Sequence, residues 1–202
     1  MITALNNFNK NLVQVKQYCA LYDLIVSNLP TLASQAESLL RAEWVMVVSN
    51  FDTYIHDIVR IALIQIFRGT RASNNVADAY TLSFNTLKRI DSLTNTSDKE
   101  EALEIEIRKI NEKDSYQSPK NIEYAMSLIG ISGIWTKISP LLGMSPQDIK
   151  IKLGLIVNRR NKIAHESDYD YLSSAQIAIT KDDVDEVVLF IERLVNAIHL
   201  QL

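Results

Sequence analysis

From Leu32 to Arg68 the chain reads LASQAESLLRAEWVMVVSNFDTYIHDIVRIALIQIFR, without one glycine or proline. Its apolar residues recur at three- and four-residue steps, which is the period of an α-helix and not of a strand. At 1.5 Å per residue, one uninterrupted helix here is about 55 Å long. Pro30 closes the preceding segment, Thr31 is a candidate N-cap, and Gly69 is suited to the left-handed position past a helix end. Between Trp44 and Leu63 the segment is apolar on more than one side, so it must be covered from several directions. That places it at the centre of a helical bundle.

The rest of the chain carries the same period. A first helix is predicted over 3–27, with Leu5, Phe8, Leu12, Val15, Cys19, Tyr22 and Val26 on its apolar face. Residues 70–80 read as a polar loop and 83–93 as a short helix, and Asp98 with Glu101 reads as a capping box opening a helix over 99–113. Ser118–Pro119 and Ser145–Pro146 are two copies of one start signal, a serine N-cap followed by proline at the first helical position. Thr180 and Asp183 cap a last helix over about 181–201. With 5 glycines and 4 prolines in 202 residues, tight turns are too few for an all-β fold. No repeat, low-complexity tract or linker divides the chain. The reading is all-α: a single-domain helical bundle, 1–202, with a long central helix.

Composition narrows function. A net charge of −3 and a pI near 5.6 are not those of a general nucleic-acid binder, so any such role needs a local basic patch. A single cysteine, Cys19, excludes an internal disulfide framework and a cysteine metal site. The N-terminus shows no secretory signal, and no apolar run approaches the roughly 18 residues of a membrane span. A cytoplasmic location is expected.

One segment stands apart: VNRRNKIAHESDYD, residues 157–170. Ile149, Leu153, Ile156 and Ile163 make the apolar stripe of this helix, and Arg160 falls on the stripe, where an unpaired charge is costly. Asn161 and His165 are an i,i+4 pair on one face. Arg160 and His165 are separated by about 140° around a regular helix. Lys150, Lys152, Arg159, Arg160 and Lys162 form a run without an acid, a patch suited to phosphate. The alternative is local: a helix C-terminus favours basic residues through its dipole, and His165 can cap it.

The segment NRRNKIAHESDYD resembles the signature of the HEPN superfamily, in which an arginine, a polar residue, three more residues and a histidine end a helix of an all-α bundle. SPKNIEYAMSLIGISGIWTKIS with LGLIVNRRNKIAHESDYD, and RAEWVMVVSNFDTYIHDIV upstream, are similar to the RiboL-PSP-HEPN branch, and the resemblance spans roughly 37–200. It implies a bundle that dimerises about a two-fold axis with the motif helices facing across a cleft. It implies a metal-independent endoribonuclease, a toxin or antiviral effector, needing no cofactor. The motif residues are then Arg160, Asn161 and His165, with Lys152, Arg159 and Lys162 as RNA-phosphate ligands. A toxin of this kind would need a separate antitoxin protein. The rival reading is a non-catalytic module that binds nucleotide, RNA or a protein in the same cleft.

That chemistry suits these side chains. RNA carries its own nucleophile, the 2′-hydroxyl. Histidine, which ordinarily titrates near pH 6.5, transfers protons at neutral pH. Arginine offers a permanently charged planar fork to phosphate oxygens, and Asn161 can orient the imidazole or bind the phosphate. Two subunits would relieve the 140° mismatch if Arg160 of one met His165 of the other.

Other residues read as structural. Asp52 and His56 are an intrahelical polar pair, Trp44 and Trp135 are core anchors, and His199 is a surface residue. Glu166, Asp168 and Asp170 read as solvated turn residues, too few for a calcium loop. Tyr169 and Tyr171 are placed to stack on bases or to pack on a neighbouring helix.

Overall fold

The computed structural model describes residues 1–170, 172 and 175–202. It is all-α apart from one short hairpin. The elements, in order, are α1 (Ile2–Val15), α2 (Gln17–Asn28), a 3-10 turn (Pro30–Leu32), α3 (Ala33–Phe67), α4 (Asn75–Asp78), α5 (Phe84–Ser92), α6 (Thr96–Asn111), α7 (Pro119–Leu128), α8 (Ile134–Leu142), α9 (Pro146–Glu166), β1 (Tyr169–Asp170), β2 (Ala175–Gln176) and α10 (Lys181–His199). No helix among the described residues is long and apolar enough to cross a membrane.

The glycine-free stretch is one helix of 35 residues, and α1, α2, α6, α7, α9 and α10 all pack against it. Val47 with Val48, and Ile58 with Val59, are each 0% exposed. Neighbours in sequence point about 100° apart on a helix, so burial of both members of each pair means α3 is covered on more than one side. Gly69 follows at φ +73°, as the sequence predicts. Thr31 is not the cap: it lies inside the 3-10 turn, and α3 begins after Leu32 without a side-chain cap.

The predicted first helix is two. The chain breaks at Lys16, between α1 and α2. A buried carboxylate explains the break: Glu43 of α3, 1% exposed, accepts the Cys19 N–H at 2.6 Å. It thus takes a donor from the opening turn of α2, whose first N–H groups have no partner within their own helix. Burial raises the Glu43 carboxyl above its usual range, with its Cys19 hydrogen bonds opposing the shift. The folded chain therefore holds that proton more tightly than the unfolded chain, and the contribution to stability is lost as pH rises through the shifted value. Glu43→Gln keeps an acceptor for Cys19 and removes the charge. Thermal melts should show it as stable as the wild type or more so at pH 8, with the gap closing below about pH 4.3, the ordinary glutamate value.

Three further differences are local. Asn74 caps α4 through the Val76 and Ala77 N–H groups, so the predicted 70–80 loop contains one helical turn. Helix α6 starts at Thr96, capped by Asn95 rather than Asp98. Helix α8 has no counterpart in the sequence reading; Gly133 at φ +62° and Gly143 at φ +66° bound it in left-handed conformations. Ser118, Ser145 and Thr180 cap α7, α9 and α10 as predicted, and Thr180 with Asp183 completes a capping box. Trp44 and Trp135 are buried.

Candidate functional site

The site lies at the C-terminal end of α9. The helix buries Ile149, Leu153, Ile156 and Val157 against the bundle. Trp44 of α3 donates its indole N–H to the Ile156 carbonyl at 3.1 Å, fixing the depth at which α9 sits. Asn161, Lys162 and His165 are exposed and Arg160 is half-buried.

The two adjacent arginines have different surroundings. Arg159 turns inward, over the Trp44 ring at 5.8 Å, and onto Asp168. Its Nη2 donates to Asp168 Oδ2 at 2.7 Å. Its Nε lies 2.7 Å from Oδ1, a charge contact whose N–H is not aimed along that line. Arg160 curls along its own helix, and Nη1 donates to Asn161 Oδ1 at 3.1 Å. Arg160 Nε is buried without a hydrogen-bond partner among the described residues, which costs about 1–3 kcal/mol. The arginine stem thus brings its guanidinium to Asn161, which is about 40° around the helix from His165. Much of the 140° separation closes within one chain.

Asp168 corrects the sequence reading. It is 0% exposed, not a solvated turn residue. Arg41 of α3, 7% exposed, donates Nε–H to Oδ2 at 3.1 Å and also pairs with Glu37 at 3.3 Å. Two guanidiniums therefore flank one carboxylate, and Glu37 balances the second charge. The same guanidiniums hold the segment that follows β2: Arg41 Nη2 donates to the Ile177 carbonyl at 2.9 Å, and Arg159 Nη2 to the Ala178 carbonyl at 3.1 Å. The Asp168 backbone is equally committed, its N–H donating to Lys162 O at 3.0 Å and its carbonyl accepting from Ile177 N–H at 2.8 Å. Ser167 at φ +53° and Asp168 at φ +58° are both left-handed, a conformation costing a non-glycine residue about 1–2 kcal/mol. Arg41 was not singled out from sequence. The signal for it is spacing: it stands three before Trp44 and seven before Val48, a charge on an apolar line.

The basic run is largely paired within the fold. Lys152 pairs with Glu186 of α10 and lies 5.1 Å from the Phe190 ring centroid. Lys150 pairs with Glu123 of α7 at 2.7 Å. With Arg159 taken by Asp168, Arg160 and Lys162 carry the positive charge nearest His165. Since Asp168 points inward, the three acids after His165 make no cluster, and among the described residues no group of His, Cys, Asp or Glu could hold a metal ion.

The remaining candidates are elsewhere. His56 Nε2 is 3.6 Å from Asp52 Oδ1, an intrahelical pair as expected, with its ring against Tyr116 at 4.6 Å. His199 is half-buried rather than a surface residue: Tyr54 Oη lies 3.1 Å from its Nδ1, and burial lowers its pKa. Tyr169 is 41% exposed; Tyr171 lies outside the described residues.

One exposed line runs along α9 to the site. Ile151, Leu155, Asn158, Lys162 and His165 fall within about 40° of it. Ile151 is 50% and Leu155 64% exposed.

No curated protein and no solved structure matches the chain. A family model does: that of RiboL-PSP-HEPN matches residues 5–202, taking in the N-terminal helices that the motif resemblance left out. The chain is therefore a member of the RiboL-PSP-HEPN family, with a HEPN-type all-α domain.

Proposed function

We propose that this HEPN domain is a metal-independent endoribonuclease whose site forms between two copies of the chain. The observation that carries the reading is the arrangement at the end of α9. An exposed imidazole, an amide one helical turn before it and a guanidinium hydrogen-bonded to that amide are grouped on a rigid helix end. In the reaction the RNA 2′-hydroxyl attacks phosphorus, the P–O5′ bond breaks, and the products are a 2′,3′-cyclic phosphate and a 5′-hydroxyl. His165 moves the proton, Arg160 neutralises the phosphate oxygens, and Asn161 holds the guanidinium and orients the phosphate. Lys162 supports binding from the same exposed line, and Lys152 can join by exchanging Glu186. Arg159, expected from sequence to bind phosphate, is assigned to the fold instead, because its guanidinium is turned onto Asp168 and its Nη2 onto the Ile177 and Ala178 carbonyls.

The dimer reading rests on Ile151 and Leu155. They lie on the line that carries Lys162 and His165, so burying them against a second copy draws two sites together. Each fully buried aliphatic side chain contributes about 2 kcal/mol. Within this reading the protein acts in cells as a toxin or antiviral effector, restrained by a separate partner.

The test is labelled RNA incubated with the protein in EDTA. Cleavage to 5′-hydroxyl ends is expected. Arg160→Lys keeps the charge and loses the fork, and should lower kcat about 10²-fold with an unchanged melting temperature. Binding without any cleavage would leave the chain as a non-catalytic module.

A further inference from the structure

We infer that Asp168 is a positioning residue for His165, set by Arg41 and Arg159; this rests on the ribonuclease reading above. Asp168 lies three residues after His165 and is anchored by both its carboxylate and its backbone. Its carboxylate is held from α3 by Arg41 at 3.1 Å and from α9 by Arg159 at 2.7 Å. Its N–H closes the last turn of α9 on Lys162 O, and its carbonyl starts the hairpin with Ile177 N–H. Gln176 adds a bond from its Nε2 to Ser167 O at 3.0 Å. These contacts converge on two successive left-handed residues, a backbone that the residues themselves do not favour.

The final turn of a helix ordinarily frays, and His165 stands in that turn. An exposed imidazole on a fraying turn samples many directions. Pinning the residue that ends the turn to α3, across 127 positions of sequence, removes that freedom. Buried ion networks add little net stability over apolar packing, so stability alone gives weak reason for placing three charged groups here. Fixing a strained turn that neither helix propensity nor apolar contact would set is a sufficient reason. Proton transfer depends steeply on such placement.

Asp168→Asn keeps the shape and an acceptor while removing the charge. Arg41→Lys keeps the charge while removing the fork, and is the milder variant should the first fold poorly. Ile58→Val, in the core far from the site, is the control for lost stability alone. Each is measured three ways: RNA cleavage, amide exchange at Asp168, and the imidazole carbon–proton signals of labelled histidine, which only three residues can give. The expected result for Asp168→Asn and Arg41→Lys is a KM near that of the wild type, kcat lower by about 10- to 100-fold, faster exchange at Asp168, and a shifted or broadened His165 signal. The control should leave kcat and that signal unchanged. An unchanged kcat and His165 signal despite faster Asp168 exchange would overturn the inference, as would equal losses of kcat in the control. A wild type that cleaves no RNA would defeat the ribonuclease reading alone, since the exchange and imidazole measurements still decide whether Asp168 positions His165.

Discussion

His165→Ala should cut RNA cleavage by about 10²- to 10⁴-fold, the range lost with a proton-transfer group, while the protein folds and assembles as before. The separation of effects follows from exposure: the imidazole is at the surface, so its removal leaves no cavity and no orphaned partner, and surface substitutions of that kind stay within about 0.5 kcal/mol. RNA affinity at low salt should persist, because Arg160 and Lys162 remain. Cleavage rate, melting temperature, sedimentation and RNA binding measured on the same preparation check the four parts. Wild-type cleavage by His165→Ala would remove the imidazole from the mechanism. In cells, induction of the wild type should arrest growth and induction of this variant should not.

Mixing two inactive variants should restore activity if the site is shared. A His165→Ala chain supplies Arg160, and an Arg160→Ala chain supplies His165. In a mixed dimer, a site that draws one residue from each subunit is intact on one side and doubly lacking on the other. Random exchange makes half the dimers mixed, so about a quarter of wild-type activity returns. If each site draws both residues from one chain, as the Arg160–Asn161 hydrogen bond allows, mixing restores nothing. A Leu155→Asp chain separates dimerisation from chemistry. A charge in place of the most exposed apolar side chain of α9 opposes burial against a second copy, so a monomer without activity is expected by sedimentation and RNA cleavage. An active monomer would show that one chain suffices.

The sequence makes some of this legible and hides the rest for identifiable reasons. A 35-residue helix without a breaker is visible because local propensity and apolar period agree, and the Ser–Pro starts of α7 and α9 are visible because a capping signal is contained in two residues. The Lys16 break is not visible: its cause is Glu43, distant in sequence, and α1 and α2 share one unbroken apolar period across it. Helix α8 hides because its ends are set by glycine geometry rather than by polar caps. The motif singles out Arg160, Asn161 and His165 as candidates, since their spacing is local. It does not reveal that Arg159 pairs with Asp168 or that Asp168 is buried, because Arg41, the distant partner of Asp168, leaves only one clue, a charge on an apolar line. The run of lysines looked unopposed for the same reason: Glu123 and Glu186 meet it only in three dimensions.

The span between Arg41 and its partners has a bearing on synthesis. The carbonyls that Arg41 and Arg159 grip belong to residues 177 and 178, so a ribosome must deliver the chain through residue 178 before the turn behind His165 can lock. Until then the guanidiniums of Arg41 and Arg159 lack the carbonyls of residues 177 and 178. On the ribonuclease reading proposed above, a growing chain with the motif already exposed is thus held short of its cleaving geometry, and a truncated product ending before the hairpin returns should not cleave RNA.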